Sequence, residues 1–322
     1  MKVHIHQEYD REFIENLKSQ LKQGVEITVG KTIPQPPLYE ILVCGVPERE
    51  VIEASPKLKH LVIPWAGLPQ KTRKLMRNYP SISIHNIHHN AIPTAEMAIS
   101  MMLVLSKDLI PIDSNLRKND WTKRYEEPSM ILLSGKHALI LGYGAIGKEI
   151  SRRCLALDLK VSAIKRTVES NMDNNIRLYP IAELDELLPT ADILFVSIPL
   201  TTETEGLLDA EKLSLLPDNA ILVNISRGKI IDEKSLFEAL KSKRIKAGLD
   251  VWYNYPDDEE TRKDTPPSEY PFYELSNVIM TPHLAGHSDK TEVLRAKSVA
   301  ELLNAKMEGE DIPNRIDLKR GY

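Results

Sequence analysis

The run Gly142-Tyr-Gly144-Ala145-Ile146-Gly147 has a spacing suited to holding a phosphate. The first glycine permits a tight turn, the second lets the backbone approach a pyrophosphate, and the third lets a helix pack close to the preceding strand. Such a turn leaves the first N–H groups of the helix, and the positive end of its dipole, facing the anion. The apolar run Ala138 to Leu141 reads as the strand and Lys148 to Leu157 as the helix. That context supports dinucleotide binding where three glycines alone would not. An acid that binds the ribose is expected at the end of the next strand, about 20 residues on. The stretch there, Val161 to Thr167, offers Lys165, Arg166 and the Thr167 hydroxyl instead. These groups could surround a 2′-phosphate, which favours NADP over NAD. The competing reading is a basic turn in solvent.

The elements that must position these groups come in an alternating series. Val3–Ile5, Glu40–Cys44, His60–Ile63 and Ile82–His85 read as strands, with a helix over Phe13–Gln23 and a long one from about Thr94 to Ser106. After a polar stretch around Trp121 the pattern restarts at Lys136. Strands are expected at 138–141, 160–164, 191–197, 220–225, 247–251 and 278–281, with helices at 181–188 and 233–240. Alternation of this kind argues for parallel sheets covered by helices. The last helix, about Thr291 to Glu308, is too short to be a domain and is expected to fold back onto the first one. The active site is then expected in the cleft between the domains, at the carboxyl ends of the strands.

Composition narrows the class. With 42 basic and 46 acidic residues the net charge is −4, which gives no electrostatic footprint for nucleic acid. The longest apolar stretch, Met97 to Leu105, is too short to span a bilayer and contains Ser100. Cys44 and Cys154 lie far apart with no CxxC pairing, and the N-terminus lacks an apolar signal core. A soluble, cytoplasmic protein is expected. His85, His88 and His89 are read as loop and packing residues rather than metal ligands.

Several segments then recur in order: Pro199 to Thr204, Val223-Asn-Ile225-Ser-Arg227-Gly228, Ile231-Asp-Glu, Gly248-Leu-Asp250-Val251 and Thr281-Pro-His283-Leu-Ala-Gly286. Together with the glycine turn they make the chain resemble the D-isomer-specific 2-hydroxyacid dehydrogenases over essentially its whole length. The resemblance implies a Rossmann-type doubly wound parallel sheet domain, residues 108–287, inserted in a smaller flavodoxin-like α/β substrate domain. The latter would be formed by residues 1–107 and the returning segment 288–322. It also implies hydride transfer between a nicotinamide and a small 2-oxo or 2-hydroxy acid, commonly in a homodimer. Arg227 would bind the substrate carboxylate and keto oxygen, for which a planar, permanently charged guanidinium is suited. His283 would be the general acid–base, its usual pKa being close to neutrality. Thr94, Thr204, Ile225 and Asp250 fall at cofactor-binding positions. The loop Trp65-Ala66-Gly67-Leu68 resembles the one whose backbone N–H groups bind the substrate carboxylate.

One departure bears on the chemistry. The family usually has a glutamate before the proline that follows the Leu-Asp-Val motif, where it holds the histidine and favours its protonated form. Here Tyr255 precedes Pro256. A phenol can orient an imidazole but cannot supply the charge that raises its pKa. Glu259, Glu260 and Glu269 on the following loop are further candidates, with nothing in the spacing to choose among them. Alternative readings are a dehydrogenase of formate or another small anion, and a nucleotide-binding regulator without turnover. On the main reading, reduction falls off at a lower pH than in relatives that carry the glutamate. A pH–rate profile checks this, and a profile without a histidine limb, or full turnover in His283→Ala, contradicts it.

Overall fold

The computed structural model describes residues 1–127, 129–168, 170–173 and 175–320. It forms two compact units, residues 1–90 with the chain from 287 onward, and residues 91–286. In the first, the elements are β1 (Lys2–Ile5), α1 (Arg11–Gln20), β2 (Glu26–Val29), β3 (Ile41–Val43), α2 (Arg49–Ala54), β4 (His60–Ile63), α3 (Gln70–Met76) and β5 (Ser83–Asn86). The strands pair in the order β2-β1-β3-β4-β5, all parallel. This is the flavodoxin-like order. Residues Ile41, Leu42 and Val43 of β3 are fully buried, as expected of a strand covered on both faces. Strand β2, at the sheet edge, alternates between exposed and half-buried residues, so its four residues lack the apolar run that marks the others. Helix α1 begins where the Asp10 carboxylate accepts from the Phe13 amide.

In the second unit the order is α4 (Ala91–Ser106), α5 (Leu109–Leu116), β6 (His137–Leu141), α6 (Ala145–Ala156), β7 (Lys160–Ile164), β8 (Met172–Asp173) and β9 (Ile176–Tyr179). There follow α7 (Leu184–Leu187), β10 (Ile193–Val196), α8 (Ala210–Leu215), β11 (Ile221–Asn224), α9 (Glu233–Lys241), β12 (Lys246–Leu249) and β13 (Val278–Met280). Eight strands pair as β13-β12-β11-β10-β6-β7-β9-β8, parallel except for the short edge strand β8. From β6 the chain first builds outward through β7, then returns to the other side with β10. The carboxyl end of β6 is therefore the switch point of a doubly wound sheet, where such folds bind ligands.

The long helix α4 belongs to this second unit, so the unit boundary falls at 90/91 where the sequence placed it at 107/108. The reason is its composition. Ten of its sixteen residues are buried, and Ala95, Ala98, Met101 and Met102 share a core with Ala138, Ile140 and Val223. A helix apolar on nearly all sides must be covered. It lies so close to β12 that a methyl group on Gly248 would come 2.7 Å from the Met101 Cβ. The final helix, α10 (Thr291–Met307), belongs to the first unit. Its Ala296, Val299, Ala300 and Leu303 bury against Val3, Ile5, Phe13 and Leu17. Among the described residues no helix is long and apolar enough to cross a membrane.

The first unit carries several histidines away from water. Burial, reinforced by His6, pulls the His4 imidazole down to about 4 from the usual 6.5. Burial does the same to His60 and His89, aided by Lys306 and Arg295 respectively, again to about 4. The folded values lie below the unfolded one, so the unfolded chain binds more protons between these limits. The stability that the neutral rings contribute is complete above pH 6.5 and is lost as pH falls toward about 4. Thermal melts followed by circular dichroism should show a lower Tm at pH 5 than at pH 7.5; equal values would refute this.

Candidate active site

The glycine turn sits at the switch point. Gly142 has φ +110°, a left-handed conformation, and a side chain there would come within 2.8 Å of the Ser197 carbonyl carbon. Gly147 lies in the first turn of α6, and a Cβ on it would be 2.0 Å from the Gly142 oxygen. These two glycines are required by packing within the protein. Gly144 is different: nothing lies within 4 Å of a Cβ built on it. It is also the N-cap of α6, with no side chain to accept from the first helical amides. An uncapped N-terminus of a twelve-residue helix beside open space fits the pyrophosphate of a dinucleotide, with Ala145 and Ile146 supplying amides.

The three strands on the far side of β10 carry the other groups. Arg227 follows β11, Asp250 follows β12 and His283 follows β13, so all three project from the same carboxyl edge of adjacent parallel strands. The turn that presents Arg227 is shaped by Asn224, which sequence reasoning had not singled out. Its side chain is buried, donates to the Arg227 carbonyl at 3.0 Å and accepts from the Ser226 amide at 3.1 Å. Gly228 is needed next, because a Cβ there would be 2.4 Å from the Trp252 carbonyl oxygen. The Arg227 guanidinium is exposed, and among the described residues no carboxylate forms an ion pair with it. Among the described residues its hydrogen bond is donated by Nη1 to the Ser226 carbonyl, at 2.6 Å. An arginine held by a structural carboxylate is thereby set aside.

His283 is exposed and has φ +58°, a left-handed backbone at a residue with a Cβ. Such a conformation costs about 1–2 kcal/mol and needs support from its surroundings. Part of that support comes from Thr281, whose carbonyl accepts from the His283 amide at 3.1 Å and from the Trp252 indole N–H at 2.9 Å. Tyr255 meets His283 ring to ring, with centroids 5.6 Å apart and planes at 55°. Its hydroxyl accepts from the Trp252 amide at 3.1 Å. Burial holds the phenol above its usual pKa against the opposing pull of the Trp252 amide and of Arg227. Tyr255 is therefore a neutral neighbour of both Arg227 and His283. Of the loop acids, Glu259 pairs with Arg262, while the Glu269 amide donates to Glu233 at the start of α9.

Lys165, Arg166 and Thr167 lie exposed just past β7, next to β6 and its glycine turn. Thr94 Oγ1 is buried and has no partner among the described residues, so this hydroxyl is available to a ligand group. Thr204 is committed locally: its hydroxyl donates to the Pro199 carbonyl at 2.7 Å and accepts from the Thr201 amide at 2.8 Å. Ile225 is buried in the core, leaving only its backbone at the edge. In the first unit, the Trp65 ring packs against Gly45, where a Cβ would be 1.8 Å from it. Trp65 also packs against the core of its own unit. The neighbouring Ala66 carbonyl accepts from Asn86 at 2.6 Å. The amides of Ala66, Gly67 and Leu68 have no acceptor among the described residues. Among the described residues no cluster of three or more His, Cys, Asp or Glu could hold a metal ion.

The model of the D-isomer specific 2-hydroxyacid dehydrogenase NAD-binding domain matches residues 99–285. The chain belongs to this family. A D-3-phosphoglycerate dehydrogenase of Archaeoglobus fulgidus is 28% identical over 328 residues, covering 99% of this chain and 59% of that protein. The chain thus spans about half the length of several curated relatives it matches, 49% in a second case. A glyoxylate reductase of Pyrococcus furiosus is 29% identical, with 94% of this chain and 92% of that protein covered. Among solved structures, a D-isomer specific 2-hydroxyacid dehydrogenase from Xanthobacter autotrophicus Py2 superposes with TM-score 0.80 over 100% of this chain and 99% of that one. Its identity is 22%, so it attests to the fold.

The two kinds of glycine predict opposite failures. Gly144→Ala should fold with nearly unchanged Tm but lose dinucleotide affinity, while Gly147→Ala should lose about 2 kcal/mol or more of stability through backbone displacement. Melting curves alongside fluorescence titration with reduced cofactor separate them, and equal loss of stability in both variants would contradict the assignment.

Proposed function

We propose that this family member is a reductase of small 2-oxo acids that prefers NADPH. The observation that carries the reading is the exposed Arg227 guanidinium, with no carboxylate ion-paired to it among the described residues, on the same strand edge as His283. The Gly142–Gly147 turn would hold the pyrophosphate of the dinucleotide, which when bound would supply the hydride for the substrate C2. Arg227 grips the carboxylate and polarises the keto oxygen. His283 donates its proton to that oxygen and is left neutral, so a 2-hydroxy acid results. Tyr255, a neutral phenol against the ring, limits the orientations of the imidazole. The names of the relatives, glyoxylate reductase and D-3-phosphoglycerate dehydrogenase, lie within this substrate class.

The cofactor preference rests on Lys165, Arg166 and Thr167, which put basic and hydroxyl groups where a carboxylate would otherwise take the ribose hydroxyls. A homodimer belongs to the same reading. Ile110, Trp121, Tyr125, Met130 and Leu132 are 54–81% exposed along one stretch of the second unit, a density of apolar surface that favours burial against a second copy. Two buried free thiols, Cys44 and Cys154, accord with a cytoplasmic location.

The test is consumption of reduced cofactor with glyoxylate, hydroxypyruvate, pyruvate and bulkier 2-oxo acids. We expect kcat/KM to be about tenfold higher with NADPH than NADH, and Lys165→Asp to reverse the order. A tenfold preference for NADH rejects the cofactor assignment. No turnover with any acid, together with tight cofactor binding, favours a nucleotide-binding regulator. Sedimentation at micromolar concentration checks the dimer, and a monomer would reject it.

A further inference from the structure

Arg227, Tyr255 and His283 stand on three different segments of the second unit, and one buried residue touches all three segments. Trp252 follows β12 and belongs to the core that includes Leu222, Ile230, Phe237 and Phe272. Its ring meets that of Phe272 edge to face, with centroids 6.0 Å apart and planes at 77°. From this fixed position it reaches outward three ways. The indole N–H donates to the Thr281 carbonyl at 2.9 Å, the same carbonyl that accepts from the His283 amide at 3.1 Å. The backbone amide donates to the Tyr255 hydroxyl at 3.1 Å. The backbone carbonyl lies against Gly228, the residue after Arg227, so closely that a Cβ there would be 2.4 Å from it. The next residue continues the attachment: the Tyr253 hydroxyl donates to the Ile231 carbonyl at 3.1 Å, at the far end of the turn that Arg227 opens.

We propose that Trp252 is a positioning residue, whose indole N–H acts as a strut from the apolar core to the turn of His283 and so sets where the imidazole stands relative to Tyr255 and Arg227. The proposal rests on the proposed function for its kinetic consequence, but not for its structural one. A buried indole N–H has to find an acceptor, and this one finds it at a carbonyl two residues before the histidine. The ring that carries the N–H is gripped by the core, so the bond fixes a direction as well as a distance. His283 has φ +58°, a strained backbone that persists only while its surroundings hold it. Where the family usually places a glutamate against the histidine, this chain has a phenol. That phenol and the backbone of the histidine turn are hydrogen-bonded to the same residue. A phenylalanine at 252 could fill most of the space but leaves the Thr281 carbonyl short of a donor. The turn then gains freedom, and the ring leaves its direction.

The experiment uses Trp252→Phe and, separately, benzothienylalanine introduced at position 252, which keeps the bicyclic outline of tryptophan and lacks the N–H. Each is also made in a His283→Ala background. We expect both changes to lower kcat by about fivefold or more while the Kd for NADPH stays within about twofold, with no further loss when His283 is already alanine. The benzothienyl protein serves if the phenylalanine variant does not fold. Full turnover in the benzothienyl protein would show that only the shape of the ring matters and would overturn the proposal. So would an equal loss of residual rate in the His283→Ala background, which marks a merely structural role. The carbon-bound proton signals of the His283 imidazole, assigned by their absence in His283→Ala, give a readout without turnover. They should shift or broaden in both altered proteins, and unchanged signals overturn the positioning role. In the wild type, the Trp252 indole N–H, assigned through its contacts with Phe272, should exchange slowly with solvent; fast exchange overturns the strut. A wild-type protein inactive on every 2-oxo acid overturns only the proposed function.

Discussion

A buried carboxylate with no net gain from desolvation would be a liability unless its oxygens were all engaged, and Asp250 engages both. The bonds it accepts tie the end of β13 to the end of β12, while the backbone of β12 ties to β11. The chemistry-bearing edge of the second unit is built on this lateral chain. Arg227 and His283 are exposed side chains on turns, the places where a protein is least rigid. Behind them, the buried side chains of Asn224 and Asp250 hydrogen-bond to the backbone of both turns.

The glycines obey the same division between scaffold and ligand. Gly142, Gly147, Gly228 and Gly248 each face backbone or a helix side chain at distances no Cβ tolerates, so their smallness serves the fold. Gly144 alone in the phosphate turn faces open space, so its smallness serves whatever approaches from outside. A pattern of three glycines read as one motif is, in physical terms, two packing requirements and one binding requirement.

Most of the second unit was legible because buried parallel strands are continuous apolar runs: Ile193–Val196 and Ile221–Asn224 stand out in the sequence and are fully buried. Pieces that lean on neighbours left no such trace. Strand β2 is half exposed, α2 and α3 are short, and the β8–β9 hairpin has only two residues in its first strand. Arg227, His283 and the glycine turn lie in ordered sequence motifs. The hydrogen bonds that Asp250 accepts around His283 lie in none, because the partners are 31 to 35 residues apart in sequence and no local spacing encodes them. The assignment of α4 to the first domain failed for a related reason. A helix apolar on every side has no periodic stripe to say which core it joins. The contact of Trp65 with Gly45, twenty residues away, is likewise absent from any local spacing.

Helix α10 has a consequence for the order in which this protein can be made. It completes the core of a unit whose first strand begins at Lys2, yet it is separated from that strand by the entire second unit. On the ribosome, Val3, Ile5, Phe13 and Leu17 emerge early and stay without their covering helix until nearly three hundred residues have been added. The second unit, residues 91–286, has its whole chain available before then. The N-terminal unit is thus finished last, against the usual direction of co-translational folding, and its uncovered apolar face is what a chaperone would meet on the nascent chain.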